Sequence, residues 1–287
     1  MISLLISFIP LLVLIFSCSI HIRKRKQQDA LWNEPFSDLL LRPPGESCRA
    51  RIEALDEKIT DSIVYAVTYI SLPLFSNPFQ SSLIYQSTLS LIGVGAVIWG
   101  ILRIKKLGYE RRCYLLGMRG ELYTAEYLYP LIAKGYRIYH DIQLETNNVD
   151  HLIVGPAGVV AIETKTRRKQ KSDGAGKAKV SFDGKMLHYP HFADSHGVEQ
   201  ARKQARQVAQ WLTSATGEPI RVYPMLCLPG WFVSTTVKDT DLMVLSPKSM
   251  DAYISALERR NENALLPVTR IQQIAHQIEQ KCKIKAP

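Results

Sequence analysis

Asp150, Glu163 and Lys165 hold the pattern with the most chemistry in this sequence. Glu163-Thr164-Lys165 closes an apolar run that begins at Val159. Alternate residues of a strand share a face, so the carboxylate and the ammonium project side by side while Thr164 turns away. Asp150 lies in the preceding apolar run, 149–154, and Gly155-Pro156-Ala157-Gly158 makes a tight turn between the two. An antiparallel pair joined there sets Asp150 opposite Glu163. Two carboxylates held together repel unless a divalent cation neutralises them. Mg²⁺ (or Mn²⁺) prefers hard oxygen ligands and keeps some of its waters, so one or two protein carboxylates leave room for a phosphate oxygen and an attacking water. Such an ion lowers the pKa of that water, and a neighbouring lysine orients the nucleophile or offsets charge in the transition state. Asp…Glu-x-Lys therefore suits metal-assisted phosphodiester hydrolysis. The bare pattern also fits solvated charges at strand ends.

A basic run follows the lysine. Residues 165–179 contain Lys165, Arg167, Arg168, Lys169, Lys171, Lys177 and Lys179 against Asp173 alone. Directly after a candidate active site, such a run would hold nucleic-acid phosphates. It would also suit anionic lipid on an inner leaflet. Trp211, Trp231, Tyr223 and Phe232 could stack on bases or fill a core. No residue pattern encodes base readout.

The elements that must position these residues alternate. A helix is predicted over 114–133, with Leu115, Leu122, Leu128 and Ile132 on or near one face and Gly135 as its stop. Strands are predicted over 136–144, 149–154 and 159–164, the last apolar enough to be buried on both faces. Asp183-Gly184 signals a two-residue hairpin between 179–182 and 185–188. A helix over 198–214, strands over 221–228 and 242–245, and helices over 250–259 and 268–281 complete the order. The expected fold is a mixed α/β sheet in one domain, 110–287.

The run from Val149-Asp150-His151 through Gly155-Pro156-Ala157-Gly158 to Glu163-Thr164-Lys165 closely resembles the core of the nuclease-related domain (NERD) family. Gly117-x-x-Gly120-Glu121 looks like its N-terminal Gly-Glu motif, and His140-Asp141 also fits. The family carries a glutamine on a later helix, usually after Asn-Pro. Gln200 is the match here, with His196-Gly197 in place of Asn-Pro, and Gln204 is the other candidate one turn on. The resemblance covers about 113–215. It implies a restriction-endonuclease-like αβββαβ core of the PD-(D/E)XK kind and Mg²⁺-dependent cleavage of DNA. Glu121, Asp150 and Glu163 would be metal ligands or their supports, Lys165 the catalytic lysine, and Gln200 a further catalytic residue. On residue pattern alone, Glu121 is equally a helix-surface charge, and His151, facing away from Asp150, is a packed or hydrogen-bonding residue.

Composition adds the setting. The chain has 287 residues, 36 Lys+Arg against 26 Asp+Glu, and 46% hydrophobic residues, which excludes a disordered chain. Five scattered cysteines with no C-x-x-C pair exclude a disulfide scaffold. The apolar residues crowd the first third. Residues 2–20 carry no charge and are about long enough to span a bilayer, and Arg23-Lys24-Arg25-Lys26 follow at once. A second uncharged stretch, 62–102, has a turn cluster at 76–82 and reads as a hairpin of two spans, 62–78 and 82–102. Gly93, Gly95 and Gly100 would permit close helix contact, and Arg103, Lys105, Lys106, Arg111 and Arg112 follow. The expected division is a membrane helix at 1–20, a cytoplasmic loop at 21–60 with a short charged helix at 49–59, a membrane hairpin at 61–103, and the α/β domain. By the positive-inside rule the domain would lie at the cytoplasmic face of the cell inner membrane. Three function classes remain: an anchored nuclease, an inactive nuclease-fold module binding nucleic acid as a scaffold, and a sensor contacting anionic lipid. The sequence does not set the oligomeric state.

Overall fold

The structure is a computed structural model that describes residues 20, 24, 40–75, 82–145, 147–169, 178–238 and 240–283. The expected first span, the hairpin's turn cluster up to residue 81, and the basic residues Lys171 and Lys177 lie outside the described residues. The chain divides into two units, one taking in Ile52–Arg112 and the other Leu39–Arg51 and Cys113–Pro287.

Among the described residues the first unit holds two long helices, α1 (Glu46–Phe75) and α2 (Leu83–Leu128), each of which continues into the second unit. Gly93 lets α2 approach the backbone of Ile70, and Gly100 faces Ala66, where an added Cβ would lie 3.0 and 3.1 Å away respectively; Gly95 faces open space. Asp56 and Arg111 pair at 2.6 Å. Apolar side chains such as Val64, Val67, Leu91 and Leu102 stand exposed. Thr68 and Thr88 donate their hydroxyls to the carbonyls of Val64 and Ile84, which satisfies these groups without water. Among the described residues one helical stretch, Leu83–Lys134, is long and apolar enough to cross a membrane. Of the three expected spans, the first lies outside the described residues, and the apolar start of α2 is the one that meets this test.

Two expected boundaries are absent. The charged helix over 49–59 is the first part of α1 and runs on without a break. Past the apolar start of α2 the helix carries on through 103–113 to Leu128. That stretch has no proline, and Arg, Lys, Leu and Glu sustain a helix.

In the second unit, α2 is followed by a short 3₁₀ turn (Tyr129–Lys134) and then by β1 (Arg137–Gln143), β2 (Asn148–Gly155) and β3 (Gly158–Thr164). Next come β4 (Lys179–Phe182), β5 (Leu187–His188), β6 (Ala193–Asp194) and α3 (His196–Thr216). The chain ends with β7 (Val222–Cys227), β8 (Phe232–Thr235), β9 (Met243–Leu245), α4 (Met250–Arg260) and α5 (Val268–Cys282). The main sheet has the order β1-β2-β3-β7-β9; β1 to β3 are antiparallel, and β3, β7 and β9 are parallel. β3 is buried along its whole length, as its apolar run requires. One face of the sheet packs on α3 and α5 through Leu152, Val208 and Ile274. The other packs on the end of α2 and on α4 through Leu128, Ile162 and Ile254. The order α-β-β-β-α-β within a mixed sheet is consistent with the nuclease fold.

A second sheet, β6-β5-β4-β8, was not foreseen. β8 pairs parallel to β4, and its Phe-Val-Ser-Thr sequence is too short and too polar to stand out as a strand. The hairpin after β4 is wider than two residues: Phe182 pairs with Leu187, and Asp183 Oδ1 accepts the N–H groups of Lys185 and Met186.

Candidate active site

The register of β2 and β3 brings the expected residues together. His151 faces Ile162, and continuing that register by one residue puts Asp150 across from Glu163. There the Asp150 Oδ2 accepts the backbone N–H of Thr164 at 2.7 Å. Glu163 Oε1 pairs with Lys165 Nζ at 2.6 Å, so the two do share a face at the end of β3. The Lys165 ammonium also donates to Gln200 Oε1 at 2.9 Å. Gln204 Nε2 donates to Glu163 Oε2 at 2.6 Å and to the Asn148 carbonyl at 2.8 Å. Both glutamines of α3 thus touch the site, Gln200 through the lysine and Gln204 through the carboxylate. Gly197, at the departure from Asn-Pro, lies against the lysine: a Cβ there would meet Lys165 Cγ at 3.0 Å.

Glu121 is buried and points into the domain, not to the helix surface. Gly120 beside it has no room for a side chain, since an added Cβ would fall 1.8 Å from Thr166 Oγ1. The Gly-Glu motif therefore seats α2 against the chain just past Lys165. Glu121 Oε2 accepts the N–H of Gly45 at 3.1 Å, and its Oε1 accepts the thiol of Cys48 at 3.3 Å.

The three carboxylates share one field. Burial, with the charges of Glu163 and Glu121 nearby, holds Asp150 well above the usual carboxylate range, against the pull of the Thr164 N–H and Lys165. Burial pushes Glu121 up to about 7; the Cys48 hydrogen bond opposes this, and the charges of Asp141 and Glu163 reinforce it. Three buried carboxylates and one lysine leave an excess of negative charge that one divalent cation would neutralise, and every donor is a hard oxygen. Among the described residues no three His, Cys, Asp or Glu side chains form a ready metal cage. A Mg²⁺ site needs only one or two protein carboxylates with water completing its shell, so the donor set fits such an ion.

His151 is packed, as expected. Its Nδ1 lies 2.8 Å from His140 Nδ1, and burial holds both imidazoles below their ordinary pKa. Of the basic run, Arg167 pairs with Asp194 at 2.6 Å, Arg168 is exposed, Lys169 lies 5.4 Å from the Trp231 ring centroid, and Lys179 is exposed on β4.

Residues 41–48 carry a role that local sequence pattern does not reveal. Asp141 is buried at a positive φ of 49°. It accepts hydrogen bonds from Arg42 Nε at 2.8 Å, from the N–H and hydroxyl of Ser47, and from Asn148 and Gln143. This clip fastens the stretch that delivers Gly45 and Cys48 to Glu121. Pro43-Pro44-Gly45 ahead of a helix was the one visible signal, and it marks a turn without naming its target.

A mixed α/β sheet with buried carboxylates and a lysine at the ends of adjacent strands is a layout consistent with a nuclease-type fold. Residues 116–229 match the nuclease-related domain (NERD) family. No curated protein matches the chain. Among solved structures, Pyrococcus furiosus SfsA in complex with Ca²⁺ is similar at 15% identity and a TM-score of 0.21, over 56% of this chain and 54% of that one. The chain thus spans about half the length of that protein.

Proposed function

We propose that this protein is a membrane-anchored, Mg²⁺-dependent nuclease that hydrolyses DNA phosphodiester bonds at the cytoplasmic face. The observation that carries the reading is the meeting of Asp150, Glu163 and Lys165 at the end of one strand pair. Asp150 and Glu163 would hold the cation, with Glu121 as a further ligand or support. When bound, the ion supplies positive charge at the scissile phosphate and makes water a better nucleophile. Lys165 is held between Glu163 and Gln200, so its ammonium is aimed before substrate arrives and offsets charge on the phosphoryl oxygens. Gln204 fixes Glu163 from the other side. Arg167, Arg168, Lys169 and Lys179, with Lys171 and Lys177, would hold the phosphate backbone.

The anchor reading draws support from the apolar start of α2, from the exposed apolar residues of the first unit and from the basic residues that follow Leu102. The test is cleavage of linear, circular and single-stranded DNA by the full chain in detergent, with Mg²⁺ and with EDTA. Divalent-dependent cleavage that falls in Lys165→Ala and Asp150→Asn is the expected result. Cleavage unchanged in both variants overturns the proposal. Binding without turnover under any divalent ion would favour the inactive-module reading instead.

A further inference from the structure

We infer that the stacked rings of Tyr189 and Phe192 form a platform for an unpaired base, which makes single-stranded nucleic acid the form of substrate this site takes. The inference rests on the nuclease reading and names its substrate class. The two rings lie nearly parallel, with centroids 4.5 Å apart at 13°. Tyr189 is buried and braced edge-on by Trp231 at 5.1 Å, so the inner ring is fixed. Phe192 is 45% exposed, so the stack ends in a ring that solvent reaches.

The platform adjoins the candidate site through short links. Asp194, two residues beyond Phe192, pairs with Arg167, which is two residues beyond Lys165. The Trp231 indole donates to the Arg167 carbonyl at 3.3 Å, and Lys169 lies against the same indole. At the start of α3, just past Asp194, Gly197 receives the stem of Lys165. The stack is therefore linked to Arg167 through Asp194 and to Lys169 through Trp231, both on the run that leads back to Lys165. Cations track a phosphate backbone, and an aromatic face adds stacking that every base accepts whatever its sequence. In a duplex the bases are stacked on one another and do not reach such a ring; an unpaired base does. An anionic lipid surface would use the cations but has no planar group to match a ring set parallel to its neighbour.

The experiment is fluorescence anisotropy of the full chain in detergent with EDTA, so that no turnover occurs, using a labelled oligothymidylate and a labelled hairpin duplex. Phe192→Ala is expected to weaken binding of the single strand roughly tenfold and leave duplex binding unchanged. Phe192→Trp is expected to keep or tighten single-strand binding. Wild-type affinity for the single strand in Phe192→Ala, or equal loss on both probes, overturns the platform while the nuclease reading stands. Absence of binding to either probe by the wild-type chain overturns both.

Discussion

Lys165 is held by two neighbours, Glu163 and Gln200, and in the proposed reaction its ammonium is aimed before any phosphate arrives. Lys165→Ala is expected to lower the cleavage rate about 10²- to 10³-fold in single-turnover assays, and, because it takes the cation from the buried Glu163, to cost roughly 2 kcal/mol of stability as well. The carboxylates set the pH dependence. Glu121 is raised from an ordinary 4.5 to about 7, so between those values the folded protein holds a proton the unfolded chain has released. The stability this group contributes is complete below about pH 4.5 and is lost as pH rises through about 7. Divalent binding needs that proton gone, so affinity is expected to rise over the same window. Urea denaturation of the metal-free protein at about pH 5.5 and about pH 8 checks the sign, and Glu121→Gln should flatten the difference. Gly120→Ala forces a methyl onto Thr166 and is expected to cost about 1–3 kcal/mol by denaturation. Asp150, Glu163 and Lys165 were legible in the sequence because strand alternation fixes which side chains share a face. The links to Glu121 were not, since Gly45 and Cys48 lie 76 and 73 residues away and leave no local pattern.

At the scale of elements, strands β1 to β3 and helix α3 were readable to within a residue or two. Apolar runs bounded by Gly155-Pro156-Ala157-Gly158 admit one pairing, and α3 has an apolar stripe of Val198, Ala201, Ala205, Val208 and Leu212 that must face the sheet. The strand β8 escaped because its partner β4 is more than 50 residues earlier in the chain and the pairing is parallel. The clip at Asp141 escaped for the same reason, with Arg42 99 residues away. That clip makes residues 41–48 part of the α/β unit, and a fragment that starts after Cys48 would lose the groups that hold Glu121. Arg42→Ala leaves a buried carboxylate short of its cation and is expected to cost roughly 2 kcal/mol. The loss should appear in thermal melts of the full chain, and a melting temperature equal to wild type would show that Ser47, Asn148 and Gln143 suffice for Asp141.

At the scale of the molecule, α2 is one helix from an apolar, exposed beginning to the buried Glu121. The family was legible from the Asp-His…Gly-Pro-x-Gly…Glu-x-Lys run; the helix's continuity through 103–113 was there to be read as well, as no helix breaker interrupts it apart from the tolerated Gly108. If the first unit is a membrane anchor, the full chain is expected to stay in the membrane pellet after an alkaline carbonate wash, and release into the supernatant would contradict this. The account as a whole depends on a cation site between Asp150 and Glu163. Calorimetric titration of the detergent-solubilised full chain with Mn²⁺ at about pH 8 tests it most directly. Saturable binding that is lost in both Asp150→Asn and Glu163→Gln, while both variants keep a cooperative melt, is the expected result. Binding of equal affinity in the wild type and both variants would contradict the account.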